Sequence, residues 1–474
     1  MRFWTVLRYT GLLVFAYLLL LSISYGESAY QPIITILVGL FIWLSANNIR
    51  VLSGKYGATR IFLGILFIGG LIRFLWAVFV PTLPVSDFLR YHKSAIELSQ
   101  GIPILTKNMG YSLLLSAGYR ISSNVLTGKL INATASTLSI LFLYLVSSKF
   151  FNHQVGLIAA FLFALLPSEI IMVSVLGTEV IATTIGVITA FFIFRTANNG
   201  SNFSTTSIFY GGLFYGLTLA VRSSSIFYFP AIILWIIFIT SLDYIKLGRL
   251  FGTFCVGVII GLSLILVSYF LSTKIFSVEP IRMQNSLPFL TGTNAGTSGG
   301  WSLDDQNLYL SWPADKRDAL ARQEAINRIK LNPKEFLLLI PVKFSILMGP
   351  NDYGNFWSLH AIDWGDGNAF GIHGIEGNNW GKYGNLKDNF IELSSLLSQS
   401  FYIIIWFLAL RAFKNSRNSS LPLIVLILII STLLPHIILE IQSRYHHYIM
   451  PFIVLLASDG IIQKSQPPLS EQQL

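Results

Sequence analysis

Apolar residues in this chain come in long, nearly unbroken runs. They show neither the strict alternation of a half-buried strand nor the single stripe of a soluble helix. Runs of ~18 or more such residues read as membrane-spanning helices. They lie near 6–24, 31–49, 60–80, 129–147, 155–175, 179–195, 206–222, 226–242, 250–271, 391–411, 421–440 and 446–463. A shorter stretch, 335–349, is interrupted by Pro341 and Lys343 and reads as an interfacial helix. The pattern therefore predicts an all-α polytopic membrane protein of about twelve transmembrane helices, with amphipathic or juxtamembrane helices on its outer face.

Composition agrees. Hydrophobic residues make up 53% of the chain and charged residues only 11%, where a soluble domain carries about 25% charged. The mean hydropathy is +0.65. The formal charge of +10 has a topological reading, because basic residues collect on the cytoplasmic side. Arg50, Lys55, Arg60, Lys149, Arg195, Lys246, Arg249, Arg411, Lys414 and Arg417 all fall on one side if the spans alternate. Both termini are then expected in the cytoplasm. The first run, with Arg2 and Arg8 ahead of it, resembles a signal sequence but lacks a small-x-small cleavage site. No dense basic run with interleaved aromatics points to nucleic acid. The single cysteine, Cys255, excludes an internal disulfide and a cysteine metal site.

This topology divides the chain into an N-terminal membrane module (1–271), a large extracytoplasmic loop region (272–390), C-terminal spans (391–463) and a disordered tail (464–474). A first outer loop, 81–128, interrupts the first module. In it Ser86 suits an N-cap and Gly101 a C-cap, and Phe88, Tyr91, Ala95 and Leu98 share one helical face. The second outer segment holds the loop TGTNAGTSGGW (291–301), a polar helix at 315–331 and a Gly/Asn/Trp-rich stretch at 351–390. The glycine-rich loop lacks the preceding strand and the Gly-Lys-Ser/Thr ending of a nucleotide-binding loop.

The charges that remain gather at the outer ends of the spans, and charges near membrane depth default to function. Asp87 opens the first-loop helix, as a general base or as a favourable charge at a helix N-terminus. Glu179 follows Thr178, which suits a cap, at the outer turn between two spans; a capping role and a site role stand equal. Glu169 lies deeper, beside Pro167. Arg222 precedes three serines, a set equipped for phosphate but also for an arginine reaching lipid headgroups. Headgroup snorkelling also suits Arg73, which lies in a smooth apolar run. The segment 439–451, LEIQSRYHHYIMP, packs Glu440, Gln442, Arg444, Tyr445, His446 and His447 together. The two histidines point to different helical faces and have no metal-ligand spacing, so they read as interfacial polar residues.

In order and on a common face, these segments resemble the GT-C membrane glycosyltransferases, in particular bacterial members of the protein mannosyltransferase-like family 39. SDFLRYHKSAIELSQGIP resembles the family's first outer loop, with GYSLLLSAGYRI after it. GTEVI, VRSSS, TGTNAGTSGGW, NPKEFLLLIPVKF and EIQSRYHHYIMP follow in the family's sequence. Two departures stand out. Phe88 follows the aspartate where many relatives carry a second acidic residue, and an extra pair of spans precedes the loop.

The resemblance implies an enzyme of the cell envelope, in a bacterial plasma membrane with its site on the extracytoplasmic face. It would move a sugar from a polyprenyl-phosphate carrier to a lipid, glycan or protein acceptor, with inversion and without cofactor or metal. Asp87 would be the base, and Arg222 and Arg444 with Tyr445 would hold the donor phosphate. Tyr91, His92, Glu179, Glu440 and His446 would line the site. A lipid-linked oligosaccharide polymerase or ligase, or a lipid or solute transporter, is the alternative. Transporters show broken helices and ionisable residues near the bilayer midplane.

Overall fold

We describe residues 2–26, 28–104, 108–196, 203–240, 243–273, 286–359, 384–415 and 421–462 from a computed structural model. Most of the Gly/Asn/Trp-rich stretch and the C-terminal tail lie outside the described residues. Among the described residues every regular element is helical.

The N-terminal module runs through α1 (Arg2–Ser24), α2 (Gln31–Tyr56), α3 (Ala58–Phe79), α4 (Ser86–Ser99), α5 (Met109–Tyr119), α6 (Val125–Phe150), α7 (His153–Leu165), α8 (Pro167–Ile171), α9 (Thr178–Arg195), α10 (Thr205–Val221), α11 (Phe229–Thr240) and α12 (Tyr244–Thr273). Between α12 and the last spans come α13 (Leu287–Gly292), α14 (Leu303–Ser311), α15 (Arg317–Leu331), α16 (Pro333–Met348) and α17 (Tyr353–Ser358). The chain closes with α18 (Gly384–Asn415), α19 (Leu421–Leu433) and α20 (Met450–Ile462).

Every predicted span coincides with an apolar helical segment, but the count of about twelve is not reached on length. Among the described residues, seven helices are long and apolar enough to cross a membrane: α2, α3, α6, α9, Ser223–Thr240, α12 and most of α18. The run at 155–175 breaks instead. His153–Leu165 and Pro167–Ser174 meet at a bend of 58° and make an eighth span only when counted together. Tyr9–Ser24, Thr205–Val221 and Pro422–Ile437 are shorter. Helices this apolar make the chain an integral membrane protein.

Exposed Leu, Ile, Phe and Trp cover α2, α3 and α12 on their outward sides, as helices facing hydrocarbon do. The largest buried apolar cluster joins α7, α18 and α20 with α1 and α6, and a second gathers α4, α5 and the start of α9. α10 and α12 form the tightest seam. A Cβ on Gly212 would collide with the Phe254 carbonyl and one on Gly257 with the Phe209 carbonyl. Without a hydrophobic drive between helices in lipid, backbones approach this closely only across small residues.

The broken span explains Arg73. Pro167 has no N–H, so the Phe163 carbonyl loses its helical partner. Arg73 Nη2 donates to that carbonyl at 2.9 Å and Nη1 to Ala164 O at 2.8 Å. Nη1 also meets Gly69 O at 3.0 Å, and Nε donates to Ser136 Oγ at 2.7 Å. Arg73 is 0% exposed. It caps a broken helix inside the bundle; the expected snorkelling arginine is corrected, because carbonyls freed by Pro167 outcompete headgroups.

Candidate functional site

α4 is placed by its apolar face. Phe88, Tyr91, Ala95 and Leu98 are all buried, as their spacing predicts. Its entry differs from expectation. Val85 holds the cap position, no side chain caps the helix, and Ser86 takes a left-handed φ of 52°. That turn sets Asp87 in the first helical turn. Asp87 accepts from Arg90 Nη2 at 2.7 Å, and the two side chains are 45% and 48% exposed. Gly101 follows the helix at φ 80°, suited to a residue without a Cβ.

Beside this helix, three charged side chains from three distant segments meet. Glu179 stands in the first turn of α9 and is 1% exposed. Its Oε1 lies 2.9 Å from Arg222 Nη1 and 3.4 Å from Arg444 Nη1. Arg222 leaves the C-terminus of α10 in extended backbone (φ −148°), which turns its side chain toward α9. Its Nε donates to Ser224 Oγ at 2.9 Å and its Nη1 to Thr178 Oγ1 at 2.8 Å. Thr178 therefore serves the arginine rather than capping α9, whose cap position is Gly177.

Arg444 lies in a 3-10 segment, Ser443–Ile449, ahead of α20. Its Nε donates to Gln442 Oε1 at 2.7 Å. The guanidinium sits 4.7 Å from the Trp357 ring centroid and 4.8 Å from that of Phe88, within cation–π reach of both. Burial opposes its charge, but Glu179, then Tyr445 and Asp87, outweigh burial and raise its pKa. Tyr445 lies beneath both guanidiniums, 5.4 Å from Arg222 and 5.8 Å from Arg444. Its hydroxyl reaches Glu440 Oε1 at 3.4 Å, which also accepts from Gln442 Nε2 at 2.9 Å.

Nη2 of Arg222 and Nη2 of Arg444 have no protein partner among the described residues. Two guanidiniums against one buried carboxylate leave a net positive charge with spare donors, which suits an anion with several acceptor oxygens. Glu179 Oε2 is likewise unpartnered.

The other predicted lining residues separate. Tyr91 stays close, its hydroxyl accepting from Asn108 Nδ2 at 2.9 Å, and the Asn108 Oδ1 accepts from the Ser223 backbone N–H at 3.3 Å. His92 turns to Tyr119, with Nδ1 at 2.7 Å from the hydroxyl. His446 and His447 are fully buried, not interfacial. His446 spans Leu347 O at 2.6 Å and Asn351 Oδ1 at 3.2 Å, and His447 Nδ1 meets the Tyr353 hydroxyl at 2.7 Å. His447 Nε2 faces Glu169 Oε2 at 3.4 Å. The two rings clamp α17 from adjacent positions, and α17 carries Trp357. A loop reading of 439–451 cannot show this, because the partners lie some ninety residues earlier.

No protein-family model matches the sequence, and comparison with curated proteins finds no sequence match. Solved structures that match in shape include archaeal ones. One is the oligosaccharyltransferase AglB from Archaeoglobus fulgidus in complex with an inhibitory peptide and a dolichol-phosphate: 16% identity, 87% of this chain, 50% of that one, TM-score 0.43. Another is the apo form of the Archaeoglobus fulgidus oligosaccharyltransferase: 14% identity, 84% and 50% coverage, TM-score 0.44. A third is that enzyme tethered to an acceptor peptide containing the NVT sequon: 15% identity, 85% and 49% coverage, TM-score 0.41. This chain spans about half the length of each.

Proposed function

We propose that the protein is a GT-C-type glycosyltransferase that moves a sugar from a polyprenyl-phosphate donor to an acceptor hydroxyl at the extracytoplasmic face. One observation carries the reading: Arg222 and Arg444, from segments far apart in the chain, converge on Glu179 and keep free donors beside a half-exposed carboxylate, Asp87.

In this mechanism the donor phosphate takes the spare guanidinium N–H groups. Fixed cations there stabilise the charge that grows on the leaving phosphate, the effect that usually dominates such catalysis. Asp87 takes the acceptor hydroxyl proton as the oxygen attacks the anomeric carbon, inverting it. An exposed i,i+3 pair is worth at most ~1 kcal/mol, so Arg90 does not withhold Asp87 from that task. Glu179 is the counter-ion that holds both arginines in register. Its Oε1 is already committed to both, which makes it a poor second base. Phe88 and Trp357 brace Arg444 and give the site apolar walls. The mechanism calls on no metal.

The decisive test incubates purified protein with radiolabelled polyprenyl-phosphate sugars and candidate acceptors. Asp87→Asn keeps size and much of the hydrogen bonding, so transfer should fall by ~10²–10⁴-fold while the melting temperature holds. Near-normal transfer by a well-folded Asp87→Asn protein removes Asp87 from the mechanism.

Transport remains the second reading, because the bent span between α7 and α8 holds buried Glu169 and packs on Arg73. Arg73 is bonded to four protein oxygens there, which supports architecture over a carried ion. Donor-dependent flux of lipid or solute into proteoliposomes, with no sugar transferred, would reverse the choice.

A further inference from the structure

A polar cavity lies apart from the arginine cluster, where the Thr/Asn/Gly loop meets α15 and α16. It measures about 180 Å³ and is lined by Thr293, Asn294, Arg328, Asn332, Glu335 and Phe336, among others. By liquid volume that is room for about six waters, the scale of one sugar ring.

The floor is fixed. Asn294 Nδ2 donates to Asp305 Oδ2 at 2.8 Å, and Arg328 Nη2 to Asp305 Oδ1 at 2.7 Å. Arg328 Nη1 holds Leu290 O at 3.1 Å, and its Nε meets Glu324 Oε1 at 3.4 Å. Asp305 and Glu324 thus answer its charge. The rim differs. Asn332 and Glu335 are exposed, and neither side chain has a partner among the described residues. A carboxamide both donates and accepts, and a carboxylate accepts twice. With the Phe336 ring beside them, the wall presents mixed hydrogen-bonding groups next to an apolar face.

We propose that this cavity binds a neutral sugar ring of the acceptor. Sugar hydroxyls both donate and accept, and the C–H face of a pyranose suits an aromatic ring. The neutralised Arg328 and the free Glu335 leave no positive charge for a phosphate or a uronate. Only the word acceptor rests on the transferase reading.

The cavity is wired to the candidate active site. Two residues before Thr293, the Thr291 hydroxyl donates to Glu440 Oε2 at 3.3 Å. Gln442 joins Glu440 at 2.9 Å, and Arg444 joins Gln442 at 2.7 Å. Backbone bonds lock the same loop to the same segment, Glu440 N–H to Pro288 O at 2.6 Å and Ile441 N–H to Gly299 O at 3.0 Å. A sugar held here would thus be anchored on the segment that carries Arg444.

The test uses full-length protein in lipid nanodiscs, without donor, and saturation-transfer NMR titrations. The probes are a neutral hexose oligosaccharide, a uronate-bearing oligosaccharide of equal length and a lysine-containing peptide. The neutral oligosaccharide should bind, with the uronate at least about tenfold weaker. Asn332→Ala and Glu335→Gln, both at exposed positions, should each weaken it about tenfold. Absence of binding to the wild type, unchanged affinity in both variants, or preference for the peptide overturns the assignment. Sugar binding without transfer from any donor sinks the transferase reading alone. Transfer without sugar binding sinks the cavity alone.

Discussion

Two buried arginine environments divide this molecule. Arg73, deep in the bundle, spends its donors on three backbone carbonyls and one serine. Arg222 and Arg444 are held by a carboxylate, hydroxyl and amide groups and aromatic rings, and each keeps an Nη2 without a protein partner among the described residues. Cost alone does not separate them, since burying any guanidinium is expensive. The partners do: carbonyls already needed by a broken helix mark architecture, and spare donors beside a half-exposed acid mark chemistry.

The contrast breaks first at Arg73. Arg73→Met would leave the Phe163 and Ala164 carbonyls unpaired in an apolar interior. Two such groups at ~1–3 kcal/mol each cost ~2–6 kcal/mol. We expect a sharply lower melting temperature in detergent, with the folded fraction retaining normal donor affinity. A well-folded Arg73→Met protein that fails only in donor use would move Arg73 into the functional class.

Next come Arg222 and Arg444. Arg222→Ala or Arg444→Ala should weaken use of a polyprenyl-phosphate donor by about 10–100-fold, the worth of a charge-assisted contact of ~1.5–3 kcal/mol. Each variant leaves Glu179 one guanidinium, so the loss in melting temperature should be smaller than at Arg73. Donor titrations that superimpose on wild type would make both arginines structural.

What could be read before the structure follows from which signals are local. Apolar runs and the Phe88–Tyr91–Ala95–Leu98 face are local patterns, and both appear in place. The meeting of Arg222 with Arg444 was legible because alternation of the apolar runs brings both to the same face. Arg73 was not, because its partners are carbonyls made available by a proline on another helix. The break between Leu165 and Pro167 carried a signal, the proline itself, inside a run long enough to pass as one span. His446 and His447 misled for the same reason: polar residues in a short connection read as surface until α16 and α17 are packed on them. Trp357 gave no signal among so many aromatics.

Lys343 tests a milder version of the contrast, a buried amine on carbonyls outside the spanning helices. Its Nζ donates to Gly292 O at 2.7 Å and to Ile437 O at 3.0 Å, and it is 0% exposed. Burial pulls its pKa from 10.5 down to about 7, against a raising effect from Glu440. Between those values the unfolded chain binds the extra proton, so stability should rise with pH from about 7 toward 10.5 and be flat below. The slope is at most ~1.4 kcal/mol per pH unit. Melting curves across that range should show the rise in wild type and lose it in Lys343→Met. The same slope in both proteins would assign the effect elsewhere.

The smallest expected effect is at Arg90, and it sharpens the Arg222–Arg444 half of the comparison. Arg90 is the arginine nearest Asp87, yet both side chains are about half exposed, at 48% and 45%. Water screens such a pair and side-chain entropy opposes it, so its worth is ~0.2–1 kcal/mol. Arg90→Ala should therefore move stability by less than ~1 kcal/mol. It should also leave sugar transfer nearly unchanged, in contrast to Arg222→Ala and Arg444→Ala. A loss of transfer as deep as theirs would mean that Arg90 orients Asp87 or touches the substrate. Proximity to the acid would then outrank burial with spare donors as the mark of the site.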